Sequence, residues 1–167
     1  MTQETLSVER DAFLAAMRQV ASTVTVVTTD GAAGRAGATV SAFTSLSADP
    51  PSVLICLRSD SRIARTVIAN GTFCVNVLPE DAVEVARAFA GSSPDNPEDR
   101  FAGLSFEADA QGPILPRATA FSCALTDRMI HGSHAICIGQ VTRLSNAGAR
   151  PLTYLSGDYH IVRPHKT

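Results

Sequence analysis

The strongest constraint on the fold is a series of short, β-branched or apolar segments separated by turn residues. The first of them, Ser22–Thr29 (STVTVVTT), leads into Asp30–Gly31, a pair typical of hairpin turns. Segments of the same character follow at Gly37–Ser47, Ser52–Leu57, Thr72–Leu78, Leu104–Ala108, Thr119–Thr126, Ala135–Leu144, Leu152–Leu155 and Tyr159–Val162. Because they succeed one another at hairpin spacing and do not alternate with helices, the sequence predicts a mainly β fold, an antiparallel barrel with peripheral helices.

Three other segments carry helix signals. Apolar residues at helical spacing predict a helix over Ser7–Val20. A second helix, Ser61–Asn70, opens at a serine that can cap it and closes before a glycine. A third, Pro79–Gly91, has proline at its start and acidic residues in its first turn. The polar, proline-containing stretch that follows, Ser92–Arg100, is predicted to be a loop.

Length and composition limit the class of protein. The 167 residues are 45% hydrophobic and 18% charged, which indicates one domain spanning residues 1–167 and excludes a disordered chain. The formal net charge of −2 gives no indication of a nucleic acid partner. No apolar run reaches the ~20 residues that cross a bilayer, and the polar start is unlike a secretory signal. We therefore expect a cytoplasmic protein with no membrane partner.

The four cysteines, Cys56, Cys74, Cys123 and Cys137, each lie inside an apolar run and are well separated in the sequence. This spacing excludes a CxxC redox pair and a zinc knuckle. We expect free thiols that are buried and pack as small hydrophobes.

The common catalytic motifs are missing. Gly31, Gly34 and Gly37 follow a strand but lead into another strand, whereas a dinucleotide-binding glycine motif needs a helix there. The sequence also lacks a Walker loop, a GxSxG elbow and an HExxH motif. His131 and His134 lie close together, but the sequence does not complete a ligand set around them, so we expect no metal. A single histidine acting as a hydrogen-bond donor is favoured.

Two stretches carry candidate binding residues. In Gly37–Ser47 (GATVSAFTSLS), hydroxyls alternate with small or apolar residues, so a flat ligand could approach the backbone and bond to it. A half-exposed strand with a polar outer face is the alternative. In Arg58–Arg65 (RSDSRIAR), hydroxyls and cations meet at a predicted helix start, where free N–H groups attract phosphate. The alternative interpretation is that a serine simply caps the helix and that the arginines are exposed to solvent without binding a ligand.

These segments, in this order, resemble the short-chain flavin reductase family, the reductase components of two-component flavin-dependent monooxygenases. The likeness runs from FLAAMRQVASTVTVVTTDG to PLTYLSGDYH and covers nearly the whole chain. Its most specific parts are the TVSAFTSLSADPP block, the FCVNVL strand and the GSH triplet before the GQV strand. The resemblance implies a split β-barrel homodimer that binds FMN or FAD. It also implies that the protein accepts hydride from NADH or NADPH and supplies reduced flavin to a partner monooxygenase.

The resemblance also assigns roles to individual residues. It places the isoalloxazine beside Thr39, Val40, Ser41 and Ala42, the ribityl or phosphate region beside Ser45 and Ser47, the phosphate beside Ser59, Ser61 and Arg62, the flavin tail beside Arg100 and Phe101, and the nicotinamide beside Gly132, Ser133, His134 and Tyr159. His134 is the implied catalytic contact with the nicotinamide. Many members have Gly-Asp-His where this chain has Gly-Ser-His, so an acidic residue that would orient the histidine is missing.

Two other functions are compatible with the same barrel: flavin binding without turnover, and flavin-dependent reduction of a metal corrinoid. Hydride transfer between two bound rings depends on positioning and does not strictly need an acid–base residue. This explains why a reductase sequence can lack a conspicuous catalytic constellation. Reduction of flavin by a nicotinamide donor would separate a reductase from a storage protein.

Overall fold

The computed structural model describes residues 8–91 and 100–165, which form three helices and ten strands. The helices are α1 (Arg10–Met17), α2 (Arg62–Asn70) and α3 (Val83–Phe89). The strands are β1 (Ser22–Thr23), β2 (Thr25–Thr29), β3 (Ala36–Val40), β4 (Phe43–Ala48), β5 (Pro51–Arg58), β6 (Thr72–Val77), β7 (Thr119–His131), β8 (His134–Ser145), β9 (Leu152–Leu155) and β10 (Asp158–Ile161). The predicted mainly β class is confirmed.

Seven strands form one antiparallel sheet in the order β3-β2-β6-β7-β8-β5-β4, and the other three form a small sheet in the order β1-β9-β10. The two edges of the larger sheet, β3 and β4, are consecutive in the chain and are joined by Ser41 and Ala42 alone. This short connection holds the two edges near each other, so the sheet must curl. Among the described residues no hydrogen-bonded register joins β3 to β4, so the sheet remains open between them.

Two apolar clusters enclose β3. The first contains α2 and the larger sheet, with Phe73, Ile55 and Val67 fully buried. The second lies around α3 and includes Phe89 and Leu152. Even-numbered residues of β3 belong to the first cluster, and odd-numbered residues face the second, because successive side chains of a strand point to opposite sides. The strand is therefore supported on both faces.

The second helix follows its sequence signals closely. Ser61 is the N-cap of α2, and its side chain accepts a hydrogen bond from the N–H of Ala64 at 3.3 Å. Gly71 ends the helix with φ of 70°, a left-handed conformation that glycine adopts without a side-chain penalty. The predicted span of this helix is confirmed.

The third helix starts later than predicted. α3 begins at Val83 because Pro79 forms a bridge with Pro151, and the N–H of Glu80 donates to the carbonyl of Arg150 at 2.8 Å. These contacts with a distant segment hold Pro79 in a bridge. Glu80 and Asp81 form a separate turn that the N–H of Ala82 closes onto the carbonyl of Pro79 at 3.0 Å, so the local helix signals there are overridden.

Other predicted strands also differ. Gly37–Ser47 divides into β3 and β4 at Ser41 and Ala42. Leu104–Ala108 is not a strand; within the described residues it makes one bridge, between Glu107 and Ile114. The Ser22–Thr29 segment divides into β1 and β2 at Val24, whose N–H donates to the carbonyl of Leu152 in the small sheet at 2.9 Å. The chain thus crosses from one sheet to the other at this point.

The N-terminal helix is shorter than predicted, since α1 begins at Arg10 and ends at Met17, and Ser7 lies outside the described residues. The predicted loop Ser92–Arg100 also lies outside them, except for Arg100. None of the helices in residues 8–91 and 100–165 is long and apolar enough to cross a membrane.

Candidate functional site

The outer edge of β3, the side turned away from β2, is the first part of the candidate site. Arg62 Nη2 donates to the carbonyl of Arg35 at 3.3 Å, and Arg100 Nη1 donates to the carbonyl of Gly37 at 3.2 Å. Alternate residues of an antiparallel strand turn their N–H and C=O groups to the same side, so Thr39 presents its backbone to this edge as well. The guanidinium groups and outward N–H groups make the edge electropositive.

This edge is held by contacts with α3. Thr39 Oγ1 donates to the carbonyl of Ala86 at 2.6 Å. Gly37 lies flat against two rings: a Cβ at this position would be 2.5 Å from Phe89 Cε1 and 3.0 Å from Phe101 Cζ. Glycine is therefore required for this close approach, because any larger residue would displace the strand or the rings.

The connection between β3 and β4 exposes backbone and small side chains. Ser41 and Ala42 are exposed, whereas Val40 is buried and its carbonyl accepts a hydrogen bond from Thr25 Oγ1 at 2.5 Å. The carbonyl of Ala42 accepts from the N–H of Cys56 at 3.0 Å, which fixes the connection against β5. The residues predicted to line an isoalloxazine thus form one segment that a flat ring can approach.

The end of β5 and the turn between β7 and β8 lie beside this connection. Arg58 pairs in register with His134, and it lies two residues beyond Cys56, about 7 Å further along the strand. Ser59 donates twice to the carbonyl of Ser133, from its N–H at 3.0 Å and from Oγ at 3.1 Å. Gly132, Ser133 and His134, which are predicted for the nicotinamide, are therefore at the same end of β5 as the residues predicted for the isoalloxazine.

The exposed imidazole of His134 begins β8. Ser133 Oγ lies 3.0 Å from its Nδ1, so this hydroxyl can orient the ring in the absence of an acidic neighbour. Gly132 has φ of 56°, as a two-residue hairpin turn requires, and His131 faces His134 across the turn. In the described ranges, no three His, Cys, Asp or Glu side chains come together as a metal-binding group.

The side chains predicted to hold a phosphate are engaged with the protein at the start of α2. Ser61 Oγ donates to the carbonyl of Arg58 at 2.6 Å and caps the helix through Ala64. The hydroxyl of Ser59 binds the turn between β7 and β8, and Arg62 binds the backbone beside β3. The backbone N–H groups of this helix start, rather than the serine hydroxyls, are the better donors for an anion.

One acidic side chain lies within this basic segment. Arg58 forms an ion pair with Asp60 at 2.8 Å, and the hydrogen bond from Arg58 holds the pKa of the Asp60 carboxyl below its usual range. Arg65 Nη1 donates to the backbone carbonyl of Asp60 at 2.5 Å. With Arg62, the segment has three arginines against one aspartate, so its charge remains positive.

Ser45 and Ser47 lie at the other end of the β4–β5 pair. They are opposite the first residues of β5, with Ser47 paired to Ser52, whereas Arg58 is the last residue of that strand. The distance along β5 from Ser52 to Arg58 is about 20 Å. Ser47 Oγ donates to the carbonyl of Asp49 at 3.0 Å, a local turn contact. Within one chain, these serines are not brought together with the start of α2.

Arg100, Phe101 and Tyr159 lie on the α3 side of β3. Phe101 is buried, with its ring centroid 4.9 Å from that of Phe89, and Arg100 Nη1 donates to the carbonyl of Phe89 at 2.5 Å. Tyr159 packs against the same cluster beneath the guanidinium of Arg87, and burial raises the pKa of its phenol. Arg100 and Phe101 support the β3 edge from behind. Tyr159 lies in the small sheet, and among the described residues no hydrogen bond or ring contact joins it to the turn at His134.

Arg35 is a candidate that the sequence analysis missed. Its guanidinium carbon lies 5.0 Å from the ring centroid of Phe101 and 5.1 Å from that of Phe106. The residue immediately precedes β3 and belongs to the same electropositive edge. The only signal in the sequence is a single cation among small residues (GAAGRAG), and nothing there indicates its two aromatic contacts.

The cysteines take the structural role that their sequence contexts indicate. Cys74, Cys123 and Cys137 are free and buried, and Cys56 is half-buried. Burial raises the pKa of Cys74 and of Cys123 to about 12. Both thiols are therefore protonated at neutral pH and are poor nucleophiles.

Comparison with known proteins gives a consistent result. Residues 17–163 match the family model described as the flavin reductase like domain. The FMN reductase (NADH) RutF of Ancylobacter novellus is 39% identical over 159 residues, covering 93% of this chain and 87% of the relative.

Solved structures agree with this match. A homolog of nitrilotriacetate monooxygenase component B from Mycobacterium thermoresistibile is 31% identical, with a TM-score of 0.84, over 95% of this chain and 89% of that one. The NADH:FAD oxidoreductase SgcE6 of Streptomyces globisporus C-1027, solved with NAD and FAD fragments, is 28% identical, with a TM-score of 0.84, over 93% and 94% of the two chains.

Proposed function

Because the chain belongs to the flavin reductase like domain family, we propose that it is an NADH:flavin oxidoreductase that reduces FMN and supplies the reduced flavin to a partner monooxygenase. The observation that carries the proposal is the open side of the larger sheet. There the outward backbone of β3, the exposed β3–β4 connection and the His134 turn meet at one end of β5. The RutF relative is named for NADH and FMN, and SgcE6 for NADH and FAD, which supports FAD as a second acceptor.

The residues at this open side fit a flavin. Ser41 and Ala42 leave space for a flat ring, and outward N–H groups of β3 are able to donate to polar atoms on the edge of the ring. Arg62 and Arg100 add positive charge along the same strand edge. Oriented dipoles and cations of this kind favour the negative charge that accumulates on a flavin when it is reduced.

The protein contributes mainly positioning. When both are bound, the nicotinamide supplies a hydride from C4 and the flavin accepts it at N5. The β3–β4 connection would hold one ring and the turn at His134 the other, so that the two rings would be kept in contact. Rigidity matters because small displacements at the reacting atoms reduce the rate strongly.

The individual roles form part of the proposal. We assign the isoalloxazine to Thr39, Val40, Ser41 and Ala42, the ribityl or phosphate region to Ser45 and Ser47, the phosphate to Ser59, Ser61 and Arg62 at the start of α2, the flavin tail to Arg100 and Phe101, and the nicotinamide to Gly132, Ser133, His134 and Tyr159. Because Ser45 and Ser47 lie about 20 Å along β5 from the start of α2 within one chain, their role requires that a second subunit supply them. The contact of Ser133 with the imidazole at 3.0 Å supports the assignment of His134 as the hydrogen-bond donor.

A homodimer with a split barrel is also part of the proposal. Among the described strands, β4 pairs with β5 alone, and Leu46 on β4 is 50% exposed. None of the residues of α1 is buried, and Phe13 is 55% exposed. An open edge strand and an uncovered apolar helix are typical of surfaces that association between subunits buries.

We further propose that residues 1–167 act as one domain in the cytoplasm. The family match over residues 17–163 spans almost the whole chain, which supports a single domain. Dependence on NADH supports the location, since this reductant is produced and recycled inside cells.

Anaerobic reduction tests the proposed activity directly. Purified protein is mixed with FMN or FAD and then with NADH or NADPH, and the visible absorbance of oxidised flavin is followed. We expect the absorbance to disappear at a rate proportional to the protein concentration, fastest with NADH and FMN. If flavin binds but neither nucleotide bleaches it, the protein is a flavin-binding protein without turnover. Corrinoid added at limiting flavin distinguishes a metal-corrinoid reductase, whose consumption of NADH it would raise.

Replacement of the histidine tests the nicotinamide assignment. His134→Ala removes one hydrogen bond, worth about 1 kcal/mol, so we expect KM for NADH to rise about 5-fold with little change in KM for flavin. His131→Ala is the matched control, because it faces the same turn from the other strand and has no assigned role. Equal increases in both KM values for His134→Ala would contradict the assignment.

A further inference from the structure

The electropositive edge of β3 contains one guanidinium that the roles above do not use. Arg35 rests on two rings, Phe101 and Phe106, whose centroids are 5.6 Å apart and whose planes are inclined at 73°. Contact with two aromatic faces restricts the side chain, because each ring attracts the guanidinium through a cation–π interaction. The in-plane N–H donors of a stacked guanidinium remain available to a ligand.

Arg35 differs from the arginines around it. Arg62 and Arg100 donate to backbone carbonyls of the same segment, at Arg35 and Gly37. Most other arginines pair with a carboxylate, as Arg117 does with Asp81 at 2.5 Å. Within residues 8–91 and 100–165, no carboxylate lies within ion-pair distance of Arg35.

Position along the strand relates Arg35 to the proposed ring site. β3 leads from Arg35 to Thr39 in four residues, which corresponds to about 13 Å. A ligand that lies along this edge with its flat ring at the β3–β4 connection would therefore have its other end near Arg35. The start of α2 lies at that end as well, because Arg62 is bonded to the carbonyl of Arg35 at 3.3 Å.

We propose that Arg35 binds the phosphate of the flavin and makes the enzyme selective for phosphorylated flavins over riboflavin. This inference rests on the proposed function. The planar guanidinium matches the geometry of phosphate oxygens and binds them in a bidentate manner. Riboflavin has the same ring and ribityl chain as FMN but lacks the phosphate, so it cannot use this contact.

The test compares three flavins with three forms of the protein. Dissociation constants for FMN, FAD and riboflavin are measured by quenching of flavin fluorescence for the wild type, Arg35→Gln and Arg35→Lys. We expect Arg35→Gln to weaken FMN binding about 10- to 30-fold and riboflavin binding less than about 2-fold, because one charged hydrogen-bonding group to the phosphate is lost. Arg35→Lys keeps the positive charge but not the planar guanidinium, so its dissociation constant for FMN should lie between those of the wild type and Arg35→Gln.

Salt dependence and a remote arginine complete the design. The affinity of the wild type for FMN should fall as the sodium chloride concentration rises, because salt screens the attraction between the guanidinium and the phosphate. The affinity of Arg35→Gln should fall less, because this variant lacks that charge. Arg10→Gln is the matched control because its side chain is 82% exposed on α1, outside the proposed site. It should change none of the three dissociation constants.

Riboflavin also serves as the control for folding. Unchanged FMN binding by Arg35→Gln would overturn the role of Arg35. Equal loss of FMN and riboflavin would overturn it too, because the residue would then act only by supporting the rings. If the wild type bound none of the three flavins, the proposed function would fail and this role with it. If the wild type bound FMN and riboflavin with equal dissociation constants, the proposed selectivity for phosphorylated flavins would be wrong, whereas the proposed function would stand.

Discussion

β3 and β4 are the two edge strands of one sheet, and the protein treats them in opposite ways. Ala36 and Val40 of β3 are buried in one apolar cluster, and Gly37 lies on the rings of the other. Two arginine side chains donate to outward carbonyls, one in β3 and one at the residue just before it. β4 is bonded to β5 along one side and is largely exposed elsewhere, with Leu46 half-exposed. β3 is thus supported within one chain, whereas β4 has little support beyond its pairing with β5.

The contrast distinguishes two kinds of strand edge: one that can bind a small molecule and one that can pair with another chain. A ligand-binding edge must be rigid and must keep outward polar groups accessible, which β3 achieves through support from both faces. An open edge without such support is a template for pairing with another chain. This difference is why we assign β3 to the flavin and β4 to subunit contact, and each of the following changes tests one side of it.

The largest effect is expected at the closest approach in β3. Gly37→Val would place a branched side chain where even a Cβ lies 2.5 Å from Phe89. We expect the free energy of unfolding to fall by about 3 kcal/mol, the upper part of the range for overpacking, as measured by urea denaturation. Loss of FMN binding should accompany it. A Gly37→Val variant as stable as the wild type would show that β3 is not held in place by close packing against the rings of Phe89 and Phe101.

Removal of the arginine behind β3 should have the next largest effect. Arg100→Leu leaves the carbonyls of Gly37 and Phe89 without their donor, and we expect the free energy of unfolding to fall by about 2 kcal/mol. Arg150→Leu is the matched control, because it breaks an ion pair at 3.2 Å whose carboxylate partner, Glu80, keeps Arg163 at 2.9 Å, so the loss should be about 0–1 kcal/mol. Similar losses for both variants would indicate that water replaces Arg100 at little cost.

A charge on the open strand tests the other side of the comparison. Leu46→Glu should raise the dimer dissociation constant at least about 10-fold, or about 1.4 kcal/mol, because a buried carboxylate would oppose association. Light scattering after size-exclusion chromatography, over a series of protein concentrations, measures it. If the wild type is a monomer at all concentrations, or if Leu46→Glu remains dimeric at the lowest one, the proposed subunit surface at β4 is wrong.

The smallest effect is expected at the end of β4. Ser47 Oγ bonds to the backbone of Asp49, as donor to its carbonyl at 3.0 Å and as acceptor from its N–H at 3.2 Å, and both residues are exposed. Ser47→Ala should lower the free energy of unfolding by about 0.5 kcal/mol, since such exposed bonds are readily replaced by water. Thermal denaturation at matched protein concentration detects it. A loss as large as that of Arg100→Leu would mean that β4 is supported within the chain after all.

The parts of the fold that were predicted well are those with local causes. α2 begins and ends where Ser61 and Gly71 indicate, because capping involves residues within one turn of the helix. The start of α3 was predicted wrongly because the contact that decides it, between Pro79 and Pro151, joins residues far apart in the sequence. Leu104–Ala108 fails as a strand for a related reason, since an apolar segment forms a strand only where a partner edge is available.

The candidate site shows the same division. The hydroxyl-rich segment was recognised from its composition, but which hydroxyls remain free depends on distant partners. Ser59 is bonded to Ser133, which is 74 residues away, and Thr39 to Ala86, which is 47 residues away. Arg35 was missed because its environment consists of two rings from a different part of the chain.

By itself, the sequence determined the mainly β class, the limits of α2, the segment of small hydroxyl residues and the resemblance to a reductase family. These features follow from patterns within one segment or from motifs in a fixed order. Only the tertiary structure decided that β3 is clamped while β4 is open, and that Arg35 lies without a carboxylate partner among the described residues. Such outcomes depend on registers and contacts between segments far apart in the chain, and no local pattern encodes them.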